Sequence, residues 1–294
     1  MGGFLYLHTT DADVTYAQQQ DGIGGAGTVP RGRIGSLGPH HEPGFRVGAT
    51  WACSDCASIV GTYSFFESDS IDALQPPNFA GGATRSLVNH PGASITASNG
   101  PLTAAYDVDF QLADIAYRSI WKANDCYAIN WSVGARYGSL TQDFRQLGDY
   151  APPVTGVIET RSNVDFDGGG LRLGLDFERR MGCSGFSVYS SGFVSPMSGR
   201  FHADYLLYNN TGAIELARAD WQDDRVVTAL DLEAGVAWTG RCRRFRASAG
   251  YLSSYWFNTL TTMEFINAVQ ANSYDNASDT LHFEGLTASL EWRW

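Results

Sequence analysis

Charged residues recur at every second position of otherwise apolar runs, and that spacing limits the chemistry they can do. Arg46, Arg136, Arg172, Asp176, Glu178, Asp231, Glu233, Arg246, Glu291 and Arg293 alternate with aliphatic or aromatic neighbours. Successive side chains of a strand point to opposite faces, so each run has one charged or polar face and one greasy face. Were the greasy face to meet lipid, the charges would have to point away from it, since an Arg or Lys facing lipid at the bilayer midplane costs about 2–4 kcal/mol. These residues are expected to line an interior, where they either pair and fill it or surround a wet channel.

Other chemistry-bearing groups form no recognisable machinery. His40-His41-Glu42 could ligate a metal or exchange protons, but it lies in a Gly/Pro-rich stretch without the helical spacing that brings two histidines onto one face. His8, His90, His202 and His282 stand alone, and the chain has no Gly-rich phosphate loop, nucleophile elbow or zinc-hydrolase helix. No metal, cofactor or catalytic residue is expected, and so no enzyme. Cys53, Cys56, Cys126, Cys183 and Cys242 all fall at short turns. In an oxidising compartment Cys53 and Cys56 could pair across their turn, or neighbouring turns could be linked, leaving one thiol over because five is odd.

The elements that carry these residues read as strands. Phe45, Val47, Ala49 and Trp51 oppose Arg46, Gly48 and Thr50, and after Ser54-Asp55 the pattern returns with Ile59, Gly61, Tyr63 and Phe65. Tyr127 to Tyr137, Leu171 to Glu178, Leu230 to Trp238, Phe245 to Tyr251 and Leu286 to Trp294 repeat it. Between Tyr106 and Trp121 the phase slips near Leu112-Ala113-Asp114, and Pro196 interrupts Phe186 to Leu206; bulges, or strand running beyond a membrane, would explain both.

Connections alternate in kind. Short turns lie near Ser54-Asp55, Ala123-Asn124-Asp125, Gly182-Cys183-Ser184 and Gly240-Arg241, and long polar stretches near 11–42, 69–104, 144–162, 209–223 and 266–279. Short turns on one rim and long loops on the other is how an outer-membrane barrel is organised. With a strand near Phe4 the count is ten. The expectation is an all-β chain forming a single antiparallel transmembrane barrel domain over residues 1–294 in a Gram-negative outer membrane. A soluble sandwich would use strands of about 5–6 residues, against about 9–11 for a tilted membrane strand.

Composition agrees: 33 Gly, 14 Tyr, 16 Phe and 8 Trp accompany only 17% charged residues. A mean hydropathy of -0.19 is compatible with a barrel, whose lipid-facing residues are diluted by alternation. The net charge of -11 argues against nucleic acid as partner. Lys122, Arg179, Arg180, Arg241, Arg243 and Arg244 gather on the short-turn rim, whereas acids such as Asp69, Asp149, Glu159 and Asp220 occupy the long stretches and would favour cations there. Met1 to His8 lacks the basic start and longer apolar core of a leader and already reads as strand, so a leader is expected to have been trimmed or to lie upstream of a misassigned start.

Pro43-Gly44-Phe45-Arg46-Val47-Gly48, Thr62-Tyr63-Ser64-Phe65-Phe66, the Asp107 to Tyr117 strand, Trp131-Ser132-Val133-Gly134-Ala135-Arg136-Tyr137 and Phe283-Glu284-Gly285-Leu286 together resemble the Legionella major outer membrane protein type, a family also widespread in planctomycetes. The resemblance implies an outer-membrane barrel with porin-like activity and no catalytic residues. It also implies that Trp292 and Trp294 supply the aromatic end read by the barrel-assembly machinery, with Trp294 where Phe is commoner. The leading expectation is a pore for small solutes or ions, embedded in outer-membrane lipid and compatible with a homo-oligomer. The alternatives are a plugged structural or adhesive barrel with partner-binding loops, and a barrel enzyme.

Overall fold

The computed structural model describes every residue except Ala26, Cys183, Arg243, Asn276 and Trp294. Among the described residues the strands are β1 (Gly2–Thr10), β2 (Val14–Asp21), β3 (Val29–Leu37), β4 (Glu42–Ser54), β5 (Ala57–Leu74), β6 (Gly82–Ser86), β7 (Leu102–Ala123), β8 (Tyr127–Tyr150), β9 (Gly156–Arg180), β10 (Phe186–Asn209), β11 (Ile214–Thr239), β12 (Phe245–Thr259) and β13 (Asp279–Trp292), with one α-helix, α1 (Thr262–Ala271). Ten strands close a barrel in the order β1-β13-β12-β11-β10-β9-β8-β7-β5-β4. The last strand pairs with the first from Gly2↔Leu290 to Thr10↔His282, as the ten-strand count predicts. Closure removes the free edges that an open sheet would present.

Turn chemistry sets the short rim. The Asn124 side chain accepts hydrogen bonds from the Cys126 and Tyr127 amides at 2.9 and 2.8 Å, closing the β7–β8 hairpin. The β9–β10 turn places Gly182 and Gly185 at φ +62° and +80°, the left-handed region that glycine enters without strain.

The phase slip of β7 is not a bulge. Register with β8 runs unbroken from Leu102↔Gly148 to Ile120↔Asn130, and β10 pairs with β11 straight through Pro196↔Thr228. What changes is polarity. Toward the short-turn rim the outward residues of β7 are Ala113, Ile115, Tyr117 and Trp121, and the inward ones are Asp114 and Arg118; beyond Leu112 the inward residues are Phe110, Val108 and Tyr106 and the outward ones Gln111, Asp109 and Asp107. β9 makes the same exchange, from Leu171, Leu173 and Leu175 outward to Asp167 and Asp165 outward. The barrel is thus a membrane half, greasy outside and polar inside, continuous with a distal half that is polar outside and packed with apolar side chains inside. The outward runs Ala113 to Trp121 and Ile129 to Tyr137 have the length a tilted strand needs to cross, about 9–11 residues. Exposed Trp51, Trp121, Trp238 and Trp292 girdle its short-turn edge.

The long stretches at 144–162 and 209–223 are largely strand. β8 and β9 continue to Tyr150 and from Gly156, and β10 and β11 meet across residues 210–213. The other stretches cap the distal mouth. The small sheet β3-β2-β6 lies against β8 through Gln146, whose Nε2 donates to the Tyr16 carbonyl at 2.8 Å. Helix α1 is N-capped by Thr261 and buries Phe265, Ile266 and Val269 in the same core as Tyr106 and Phe144.

Candidate functional site

The inward charges of the membrane half converge on one chamber of about 220 Å³, whose lining includes Arg46, Asp114, Arg136, Arg172, Asp231 and Glu233. At its centre Arg136 of β8 donates to Asp114 of neighbouring β7 (2.7 and 3.0 Å) and, across the lumen, to Asp231 of β11 (2.6 Å). Arg136 is only 3% exposed in its side chain. Ser254 completes Asp231 with a 2.6 Å bond. Such a centre is held by geometry: burying these charges costs several kcal/mol apiece unless each finds opposite charge and hydrogen bonds.

Around it the pairs continue across the barrel. Arg46 of β4 reaches Glu233 of β11 at 3.0 Å, and Glu233 also accepts from Tyr189 (2.8 Å) and Thr287 (3.0 Å). Arg172 lies 3.3 Å from Asp114 and stacks 3.6 Å over the Phe193 ring, in space that the absent side chain of Gly174 leaves open, since a Cβ there would come within 2.2 Å of Phe193. Nearer the short-turn rim Arg246 bridges Glu178 (3.3 Å) and Glu291 (2.9 Å), and Arg118 pairs with Asp176 at 3.1 Å. Exposure grows in that direction, from 3% for the Arg136 side chain to 41% for Arg118, so the chamber opens toward the short-turn rim.

In the distal direction the lumen is filled. Phe110 of β7 packs 4.7 Å from Phe283 of β13, 5.5 Å from Phe66 of β5 and 6.2 Å from Trp256 of β12. β7 and β12 lie opposite one another in the ring, so these rings span its full diameter. Phe66, Trp256 and Phe283 are wholly buried, with Leu140, Met197 and Phe201 in the same cluster.

Among the residues picked out from sequence, Arg46, Arg136, Arg172, Asp176, Glu178, Asp231, Glu233, Arg246 and Glu291 line the chamber. Arg293 does not: it lies at the rim, its guanidinium on Glu291 at 3.1 Å and its backbone amide on the Arg244 carbonyl. Trp292 is exposed on the outer face, while Trp294 and Cys183 fall outside the described residues. The possible disulfides are not found among the described residues: Cys53, Cys56, Cys126 and Cys242 are free, exposed thiols. Asp114 and Arg118 are not assigned to the lumen from sequence, because the phase slip near Leu112-Ala113-Asp114 leaves their face open; the unbroken register of β7 turns both inward, with the apolar parity changing at Leu112. His41 stacks on His8 at 4.7 Å on the outer surface, away from the chamber.

A closed antiparallel barrel with an apolar belt, a tryptophan girdle and a charged interior defines a transmembrane β-barrel of the outer-membrane class. Within it the chain belongs to the family of the Legionella pneumophila major outer membrane protein precursor, whose model matches residues 2–294, and it is an outer-membrane protein. No curated protein matches it. Among solved structures it is similar to the outer membrane protease OmpT of Escherichia coli, at 10% identity over 100% of this chain and 95% of that one with a TM-score of 0.46. It is similar also to OmpT of Vibrio cholerae, an in-vitro folded outer membrane protein in trimer form, at 10% identity over 99% of both chains with a TM-score of 0.17. The whole-length match to a barrel named as a protease overturns the flat expectation that this chain is not an enzyme, which is withdrawn. At that identity the likeness gives this chain no activity in its place.

Proposed function

We propose that the protein is a plugged outer-membrane barrel that anchors a tall, self-packed structure at the cell surface, and that it does not pass solutes in this conformation. The observation that carries this reading is the aromatic layer of Phe66, Phe110, Trp256 and Phe283, which crosses the whole lumen above a chamber whose charges are already paired. A layer of buried rings leaves no path for water-sized solutes, and its dispersion contacts are forfeited if it parts. Outer-membrane lipid is the partner of the apolar belt, and the barrel-assembly machinery the reader of the closing strand. Liposomes carrying the refolded chain should swell no faster in isotonic arabinose than empty liposomes; rapid swelling would overturn the reading.

A second reading, a gated pore, is favoured by the chamber itself. A barrel that needed only a filled interior would not require five arginines and six carboxylates there, as Arg46, Arg118, Arg136, Arg172 and Arg246 stand against Asp114, Asp176, Glu178, Asp231, Glu233 and Glu291. With the aromatic layer displaced, this ladder would line a narrow, ion-accepting path.

A further inference from the structure

The outer surface of the distal half is striped by charge. Register places Asp69, Asp107, Asp143, Asp204 and Asp220 in one cross-strand row, through the pairs Asp69↔Asp107, Asp107↔Asp143, Asp143↔Asn163, Asn163↔Asp204 and Asp204↔Asp220. The next row outward reverses sign: Arg145 of β8 faces Arg161 of β9 directly, and Leu206 separates Arg161 from Arg218. Arg218 is neutralised by its own Asp220 at 3.2 Å. Like charges placed directly opposite on a sheet destabilise it, so the Arg145–Arg161 pair requires an explanation.

Part of it is Glu159, 3% exposed in its side chain, which stands one outward position beyond Arg161 on the same face and accepts the Nε–H of Arg145 (2.5 Å), the Nε–H of Arg161 and an amide N–H of Asn210 (3.0 Å). Burial alone would raise the Glu159 carboxyl, but the bonds from Arg161, Asn210 and Arg145 outweigh it and hold it down at about 2. One carboxylate cannot balance two guanidiniums. Each arginine spends only its Nε on Glu159, the terminal nitrogens of both make no hydrogen bond among the described residues, and their side chains stay 52% and 57% exposed. The result is a pair of guanidinium forks held through their Nε atoms, with the terminal donors free and exposed. Arg145 stands eight residues beyond Tyr137, the last aromatic of the belt on β8. At about 3.3 Å per residue and a tilt near 40° that is roughly 20 Å above the membrane boundary, beyond the lipid acyl chains and among surface saccharides.

We propose that Arg145 and Arg161 form an anion site on the cell-surface half of the barrel that takes the phosphate group of a phosphorylated surface saccharide. A tetrahedral phosphate offers several acceptor oxygens, which suits two converging forks better than a single carboxylate does. Asp143, one outward position below Arg145, repels an anion placed lower, so the ligand is confined to the upper stripe. The site is independent of whether the lumen conducts.

The test uses the refolded full chain in detergent, with inorganic phosphate and phosphorylated lipopolysaccharide as separate probes in titration calorimetry. The wild type should bind at least one of them, and Arg145→Gln and Arg161→Gln should each weaken that binding by about tenfold or more. Glu159→Gln should tighten it, because the internal competitor for both guanidiniums loses its charge; a merely structural carboxylate would not give this sign. Arg200→Gln, which breaks a one-to-one pair with Asp224, should leave binding unchanged. Binding of lipopolysaccharide that is lost on enzymatic dephosphorylation assigns the saccharide as source, whereas equal binding of free phosphate assigns a soluble ligand and corrects that part of the proposal. Heat-modifiable gel mobility and Arg145→Lys/Arg161→Lys, which keep the charge, guard against misfolding. Wild-type chain that binds neither probe, or glutamine variants that bind as tightly as wild type, would overturn the site.

Discussion

Single charged residues hold the lumen together by satisfying one another in a dry place. Arg136 is the keystone of the chamber, with two carboxylates and almost no water. Replacing it with Ala should destabilise the barrel by about 3–5 kcal/mol, read by urea unfolding in micelles, because Asp114 and Asp231 are left uncompensated. The same change at Arg200, an exposed pair, should leave the unfolding midpoint nearly unchanged. On the distal outer surface the opposite logic holds. Burial, and after it Glu67, Asp143, Asp165 and Asp107, push the Asp109 carboxyl up to about 6, and Asp107, Asp143 and Asp204 are raised as well. A folded-state pKa above the unfolded one means the native state binds the proton more tightly, so stability must rise as pH falls through 6 toward 4. Glu159, depressed to about 2, works the other way, but only below about 4.5. The melting temperature should therefore be higher at pH 5 than at pH 7.5, and Asp109→Asn should remove part of that rise, on the order of 1 kcal/mol after solvent screening; a melting temperature that falls on acidification to pH 5 would contradict it.

Among the elements, α1 and the small sheet decide how firmly the distal mouth is shut. Gln142, wholly buried on β8, holds the start of α1 by two bonds, its Nε2 donating to the Leu260 carbonyl at 2.8 Å and its Oε1 accepting from the Thr262 amide (3.1 Å), while the Tyr106 hydroxyl of β7 donates to the same Oε1 (2.9 Å). At the other end Gln270 donates to the carbonyls of Leu87 and Asn89, tying α1 to the chain after β6. Gln142→Ala strands a buried carbonyl and a buried amide. Amides of α1 should then exchange with deuterium at least about tenfold faster, while those of β8 in the membrane half stay protected; unchanged exchange in α1 would show that packing of Phe265 and Ile266 alone holds it. None of this was legible in sequence. The ten barrel strands were, because alternation of Val47, Trp51, Tyr63 or Leu173 with polar partners survives without context. The distal ends of β8, β9 and β11 look like loops in sequence, because residues 144–162 and 209–223 present polar side chains to solvent and apolar ones to a core that only tertiary structure supplies. Helix α1 was hidden in the same way, its apolar positions too few to announce themselves between two strands.

For the whole molecule, one change of face at mid-strand organises everything else. Below Leu112 the barrel is built as lipid demands, and its charges had only the lumen to occupy; above it the barrel is built like a soluble protein, with a core of Phe66, Phe110, Trp256 and Phe283 where a wide porin would hold water. The chamber could be foreseen from Arg46, Arg136, Asp231 and Glu233, but the seal above it could not, since alternation says which way a ring points and not what it meets across ten strands. This seal closes the barrel in the proposed reading. Single-channel recording in planar bilayers tests it most directly, comparing the wild type with Phe110→Ala/Trp256→Ala, both verified as folded by circular dichroism. A sealed barrel gives a silent wild type and discrete conductance steps once the two rings are removed; steady open channels in the wild type, as large as those of the double variant, would show that the rings do not seal it.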